Sequence, residues 1–208
     1  MLWNKEKGID LITIWEDQWK NKKDIIKQIL KHRLNKSNNK IFARKCEIRE
    51  INNNEYKLFC NDYHIQGYRP AKIKLGLYFN NKLVQIASFN KCNKYHKEDY
   101  EWIRGCISSN NIVVGGTSKL LKYFIKQYNP QSILCFSDNN LFNGNGYLQS
   151  GFELVDEIKE DKFYIENNRS LKRISRNPFK YKELMEQVKN NKLFLCYGCG
   201  SKKFVWHK

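Results

Sequence analysis

The stretch from Val113 to Gly151, VVGGTSKLLKYFIKQYNPQSILCFSDNNLFNGNGYLQSG, constrains the fold of this chain more than any other. A glycine pair, Gly115 and Gly116, opens a run in which Leu120, Leu121, Phe124, Ile125 and Tyr128 recur at helical spacing. Thr117 and Ser118 stand where an N-cap is wanted. Backbone N–H groups freed at a helix start, with no side chains in the way, make a seat for phosphate. Val113, Val114, Gly115, Gly116, Thr117 and Ser118 are therefore candidate binding residues. A glycine pair is also an ordinary turn. It is neither a Walker loop, since no Gly-Lys-Ser/Thr follows, nor a GxGxxG dinucleotide fingerprint. The run SILCFSD then reads as a buried strand ending in Asp138. A short helix over 144–150 follows and carries Tyr147.

Upstream, 46–51 (CEIREI) reads as a strand and 54–63 as a helix. The segments 73–80 and 82–89 form a hairpin around Asn80-Asn81, and 100–107 is a fourth strand. After the helix, the 132–138 strand and the short helix come 152–158 and 162–166, both strands. The order is β-α-β-β-β-α-β-α-β-β, an α+β pattern.

This order resembles the GNAT acyltransferase fold, a mixed and mostly antiparallel sheet flanked by helices, over roughly residues 46–166. In that family the junction between the fourth strand and the next helix grips the pyrophosphate of coenzyme A. The run RGCISSNNIVVGGTSKLLKYFIKQYNPQSILCFSD…GYLQSGF further resembles a phage family carrying a Mom-like acyltransferase domain. In those proteins the domain follows a very-short-patch-repair-like or homing nuclease. GIDLITIWEDQWKNKKDIIKQILKHRL resembles the tail of that nuclease, without the carboxylates and lysine a PD-(D/E)xK centre needs. The resemblance implies acetyl-CoA or another acyl-CoA as cofactor, bound at 113–118, and adenine in DNA as the acceptor. An acyltransferase on protein lysine or tRNA, or a silent DNA-binding module, are the alternatives.

Acyl transfer from a thioester to an amine needs the amine placed and deprotonated, the carbonyl oxygen met by a donor, and an acid for the thiolate. Tyr147 occupies the place of the family's acid; otherwise it is a packed aromatic beside Phe152. Asp138 matches a family aspartate able to hold an exocyclic amine; otherwise it forms an Asx turn into Asn139-Asn140. His64, in DYHIQGYRP, matches a family histidine and is a candidate base. Gln66 or Tyr68 beside it is placed to read a base edge. Arg104 matches a family arginine. For Arg104 and Glu101 to share one face of their strand, a bulge is required, because residues three apart otherwise face opposite sides.

The chain carries 38 Lys and Arg against 21 Asp and Glu. Residues 1–45 hold 12 basic against 5 acidic, residues 157–208 hold 13 against 6, and 46–156 hold 13 against 10. Basic flanks around a nearly balanced centre suit nucleic-acid binding, with Trp3, Trp15, Trp19, Phe179, Tyr181 and Trp206 available to stack on bases. The 30 Lys, 8 Arg and 25 Asn equally reflect AT-rich coding. The expected domains are a basic strand-helix extension at 1–45, the remnant of that nuclease, the acyltransferase domain at 46–166 and a basic extension at 167–208. A mean hydropathy of −0.72 and the lack of a long apolar run argue against membrane insertion. Seven cysteines, an odd number, argue for reduced thiols in a cytoplasm. Cys196 and Cys199 form a lone CxxC, short of the four ligands of structural zinc, so no metal is expected.

Overall fold

The computed structural model describes residues 9, 11–37, 39–175 and 177–208. They form an α+β structure whose main sheet has seven strands. The helices are α1 (Glu16–Asn21), α2 (Lys23–Arg33), α3 (Asn53–Tyr63), α4 (Gly116–Tyr128), α5 (Asn145–Leu148) and α6 (Tyr181–Lys189). The strands are β1 (Asn39–Phe42), β2 (Glu47–Glu50), β3 (Ile73–Phe79), β4 (Lys82–Lys91), β5 (Tyr100–Ile107), β6 (Asn111–Val114), β7 (Ser132–Asp138), β8 (Glu153–Ile158), β9 (Asp161–Glu166), β10 (Arg173–Ser175), β11 (Leu193–Gly198) and β12 (Ser201–His207). The main sheet runs β2-β3-β4-β5-β7-β12-β8. Its pairs from β2 to β5 are antiparallel, and β5–β7 is parallel.

Contacts divide the chain into two compact units. The larger comprises Asp24–Phe136, Asn145–Leu154 and Phe204–Lys208; the smaller comprises Met1–Lys23, Ser137–Gly144 and Val155–Lys203. Neither follows the contiguous domains expected at 1–45, 46–166 and 167–208. Strands β7, β8 and β12 each pass from one unit to the other along the chain, which is why no single cut point separates them.

In the larger unit, β3 and β4 are buried along most of their length, because both sheet faces are covered. Leu75, Leu77, Ala87 and Phe89 belong to one cluster with Leu120, Leu121 and Phe124 of α4. Ile86 belongs to another, with Tyr56, Phe59 and Cys60 of α3. Phe124 stacks on Phe89 at 3.8 Å between centroids and on Tyr128 at 5.0 Å. The β3–β4 turn is made by Asn80 and Asn81 at φ 49° and 60°, the two positive angles a two-residue hairpin wants.

Two features of this unit shape the candidate site. Ser88 pairs with Arg104 while Phe89 pairs with Trp102, so Ile103 is an extra residue and β5 bulges there. The β5–β7 ladder is only two pairs long, Tyr100↔Ile133 and Glu101↔Leu134. Beyond those pairs the two strands are not laddered. The segment just before the glycines is also a strand, β6. It pairs in parallel with β1 from Asn39↔Asn111 to Phe42↔Val114.

The smaller unit is built differently. Strands β10-β9-β11 form an antiparallel sheet, and α6 packs Leu184 against Tyr164 and Leu193. Arg173 forms a bidentate pair with the buried Asp17, at 2.7 and 2.8 Å, and lies 3.9 Å over the Phe163 ring. Asn140, 2% exposed, accepts from Trp15 Nε1 and from the Cys199 N–H. Gly200 has φ +74°, and a Cβ there would meet the Ile158 carbonyl oxygen at 1.8 Å. Gly8 and Asp10 of the nuclease-like segment lie outside the described residues. Leu11–Trp15 is not a strand: the Thr13 N–H bonds only to the Asn140 carbonyl, and one such bond makes no ladder.

Candidate functional site

The start of α4 is a cleft wall made by backbone. Gly115 is the N-cap, left-handed at φ 75°, and no side chain caps the helix. This corrects the assignment of Thr117 and Ser118 as caps: the cap lies two residues before Thr117, and Thr117 Oγ1 instead accepts from Gln85 Nε2 at 3.1 Å. The N–H groups of Gly116, Thr117 and Ser118 belong to the first helical turn, where no intrahelical acceptor exists.

The two glycines serve opposite sides. A Cβ on Gly115 would meet only Ala43 Cβ at 3.9 Å, so this residue faces the opening. A Cβ on Gly116 would sit 1.9 Å from Gln85 Oε1 and 2.8 Å from Val113 Cγ1, so that residue faces inward. Gln85 is 3% exposed, and its Oε1 has no hydrogen-bond partner among the described residues.

A cleft of about 410 Å³ lies over this junction, lined by Phe42, Ala43, Arg44, Val114, Gly115, Ser118, Lys119 and Lys122. It holds three cations and no carboxylate. Lys119 is tied down, donating to the carbonyls of Ala43 and Cys46. This donor set, with a glycine left open to the cleft, fits the phosphates of a coenzyme A. Of the candidate binding residues, Val114, Gly115 and Ser118 line the cleft, whereas Val113 and Gly116 are buried. Sequence reading missed Arg44, Lys119 and Lys122. Lys122 follows Ser118 by four residues and so shares its helix face, a usable signal. Arg44 gave none, because its place depends on the β1–β6 pairing.

A second group lies around the β5 bulge. Arg104 Nε donates to the Gly67 carbonyl at 2.9 Å, and Nη1 donates to the Ile103 carbonyl at 2.9 Å. Glu101 takes a bidentate pair from Arg69 at 2.7 and 3.2 Å. Glu101 and Arg104 thus both reach the segment after α3, the shared face that the bulge was required to create. His64 ends α3; its Nδ1 accepts from the Gln66 N–H at 3.1 Å and its carbonyl from the Gly67 N–H. The ring's remaining nitrogen, Nε2, therefore carries the proton in the neutral form. Tyr68 packs edge-on against Tyr56, whereas Gln66 is exposed.

Burial lowers the Arg104 guanidinium from its ordinary value, opposed by Tyr56 and reinforced by Arg69. Burial likewise pushes the Tyr147 phenol well up, with Cys135 adding and Arg104 opposing. The Tyr147 ring packs against Trp102 at 6.0 Å, Phe152 at 5.6 Å and Phe204 at 5.5 Å. It is therefore both the packed aromatic and a phenol kept protonated at neutral pH. In the smaller unit, Asp138 ends β7 as read, and its Oδ1 accepts from Asn140 N–H at 2.8 Å and Nδ2 at 2.6 Å. The Asx turn is present.

Of the stacking candidates, Trp15 is engaged with Asn140 and Phe163, and Trp206 packs against the main core. Phe179 is 99% exposed, Tyr181 and Trp19 about half; Trp3 lies outside the described residues. Cys196 and Cys199 are half-buried free thiols, and among the described residues no three His, Cys, Asp or Glu gather as metal ligands. No described helix is long and apolar enough to cross a membrane.

No family model and no curated protein matches the chain. Solved structures do. The ribosomal-protein-S18-alanine N-acetyltransferase of Escherichia coli is similar over 78% of this chain and 93% of its own, at 9% identity and a TM-score of 0.48. A Bacillus subtilis acetyltransferase in complex with CoA is similar over 79% and 99%, at 12% identity and TM-score 0.47. A GNAT family acetyltransferase from Elizabethkingia anophelis with acetyl-CoA bound is similar over 79% and 99%, at 13% identity and TM-score 0.46.

Proposed function

We propose that this protein is a CoA-dependent N-acyltransferase of the GNAT type. The observation that carries the reading is the short β5–β7 ladder, in the same unit as the glycine-opened start of α4 and its cationic cleft. Strands that stop pairing leave main-chain donors and acceptors for an extended ligand, and a helix start beside cations suits its phosphates. Gly115 and Ser118, with the first-turn N–H groups, would hold the cofactor, which supplies the acyl group as a thioester when bound. Tyr147, protonated at neutral pH, serves as the acid. Arg104 braces the segment after α3, and His64 stands in that segment beside the exposed Gln66.

The acceptor we infer is an amine on a nucleic acid, adenine in DNA in the manner of the Mom-like family. The excess of basic over acidic residues and the exposed Phe179 and Tyr181 support it. Asp138 is assigned to hold that amine through Oδ2, since Oδ1 is engaged by Asn140.

The test has two parts. Nucleosides from cells expressing the protein, compared by mass spectrometry with uninduced cells, are expected to carry an acylated base. Asp138→Asn keeps an Oδ1 acceptor for the turn and is expected to lower transfer by roughly 10²-fold with little change in melting. Unmodified nucleosides, with acetyl-CoA binding intact, would remove the nucleic-acid acceptor. Wild-type turnover in folded Asp138→Asn would leave Asp138 only its turn.

A further inference from the structure

The cleft over α4 is divided in its chemistry. At its apolar end Phe42 and Val114 are partners in the β1–β6 register, and both stay substantially exposed, at 43% and 44%. A flat pair of exposed apolar side chains at the end of a two-stranded ladder is a platform for a planar ring. Next to it stand Arg44 and Lys122. Arg44 lies 5.2 Å over the Phe42 ring, and neither cation has a carboxylate partner among the described residues. Lys119, by contrast, spends its donors on two carbonyls of the Ala43–Cys46 turn, which holds Arg44 at the rim.

A ring platform beside two cations without carboxylate partners, with glycine and serine backbone at a helix start a few residues away, is the pattern for a nucleotide with more than one phosphate position. Gly115 and Ser118 account for one of those positions. Arg44 and Lys122 come from different segments, and among the described residues no carboxylate neutralises either of them. Coenzyme A carries a third phosphate on the ribose, away from its pyrophosphate.

Resting on the reading of this cleft as the acyl-CoA site, we propose that Phe42, Arg44 and Lys122 form a subsite for the adenosine 3′-phosphate end of the cofactor. The subsite selects CoA over analogues lacking that phosphate. It is set by the β1 segment, which lies ahead of the acyltransferase pattern in the sequence.

The experiment is calorimetry of the full chain with CoA and with dephospho-CoA, which differ only in the 3′-phosphate. Wild-type protein is expected to favour CoA by about tenfold. The double variant Arg44→Gln, Lys122→Gln is expected to bind both about as wild type binds dephospho-CoA. Both side chains are exposed, so folding is checked simply by the melting curve. Lys126→Gln, on the same helix but outside the cleft, is the control and is expected to keep the preference. Equal wild-type affinity for the two ligands would overturn the subsite while leaving acyl-CoA binding standing. Equal loss of preference in Lys126→Gln would also overturn it, because diffuse charge would then be the cause. Binding of neither ligand would remove the acyl-CoA reading itself, and the subsite with it.

Discussion

The two compact units hold themselves together by different physics. The larger has a broad apolar core, with aromatic stacking from Phe89 through Phe124 to Tyr128 and strands covered on both faces. The smaller has a modest cluster of three buried apolar residues and relies on polar pairs with one buried member each, Asp17 with Arg173 and Asn140 with Trp15. Apolar burial tolerates imperfect geometry, because it scales with area. A buried ion pair does not, since removing one partner strands the other. The charge divides unexpectedly too. The larger unit carries 21 Lys and Arg against 9 Asp and Glu, the smaller 17 against 12. The basic excess therefore belongs mainly to the unit with the cleft over α4. The flanks looked basic in sequence, but residues 24–45 fold with that unit.

The sharpest way to break this contrast is Arg173→Ala. Asp17 would stay buried without its partner, an expected loss of about 3–5 kcal/mol. By hydrogen exchange, amides of β9 should lose protection while those of α4 keep theirs. Equal loss in both would mean that the two units unfold as one, and the contrast in their stabilisation would have no thermodynamic meaning.

A smaller effect tests the packing of the larger unit. Gly116→Val places a side chain onto Gln85 Oε1 and Val113, an overpacking cost of about 1–3 kcal/mol. Gln85→Ala in the same chain should recover much of it, a coupling that urea unfolding of the double-mutant cycle measures. Additive losses would show that Gly116 is needed for something other than this contact.

The smallest effect at neutral pH concerns the phenols. Burial raises Tyr147 and Tyr56 above their unfolded value of about 10. The unfolded chain therefore releases these protons first. Stability is full below about pH 10 and falls as pH rises from there. Tyr147→Phe should make the alkaline decline shallower while leaving the melting temperature at pH 7 nearly unchanged. An unchanged alkaline slope would place the Tyr147 hydroxyl in water.

Much of the larger unit was legible from local pattern. The hairpin at Asn80-Asn81, the strand over 100–107, the helix after the glycines and the strand ending at Asp138 all stand where periodicity and turn residues put them. Each depends on neighbours within a few residues, so the chain alone carries the signal. The bulge was legible as a requirement, because Glu101 and Arg104 could share a face only if the pleat slipped.

Tertiary structure decided the rest. Asn111–Val114 has too few residues to announce a strand, and only its partner Asn39–Phe42, some seventy positions earlier, makes it one. Ser201–His207 reads as a basic tail, yet it enters the main sheet between β7 and β8. Gly115 and Gly116 look alike in sequence; which faces the cleft and which the core depends on where Gln85 and Ala43 arrive. Asp138 had its turn partner within two residues, so the Asx alternative was readable, whereas the burial of Asn140 depended on Trp15 and Cys199. Local spacing determines the elements and their faces. Long-range pairing determines which backbone and which cations are left free to meet a ligand, because those are settled only when distant segments compete for the same hydrogen bonds.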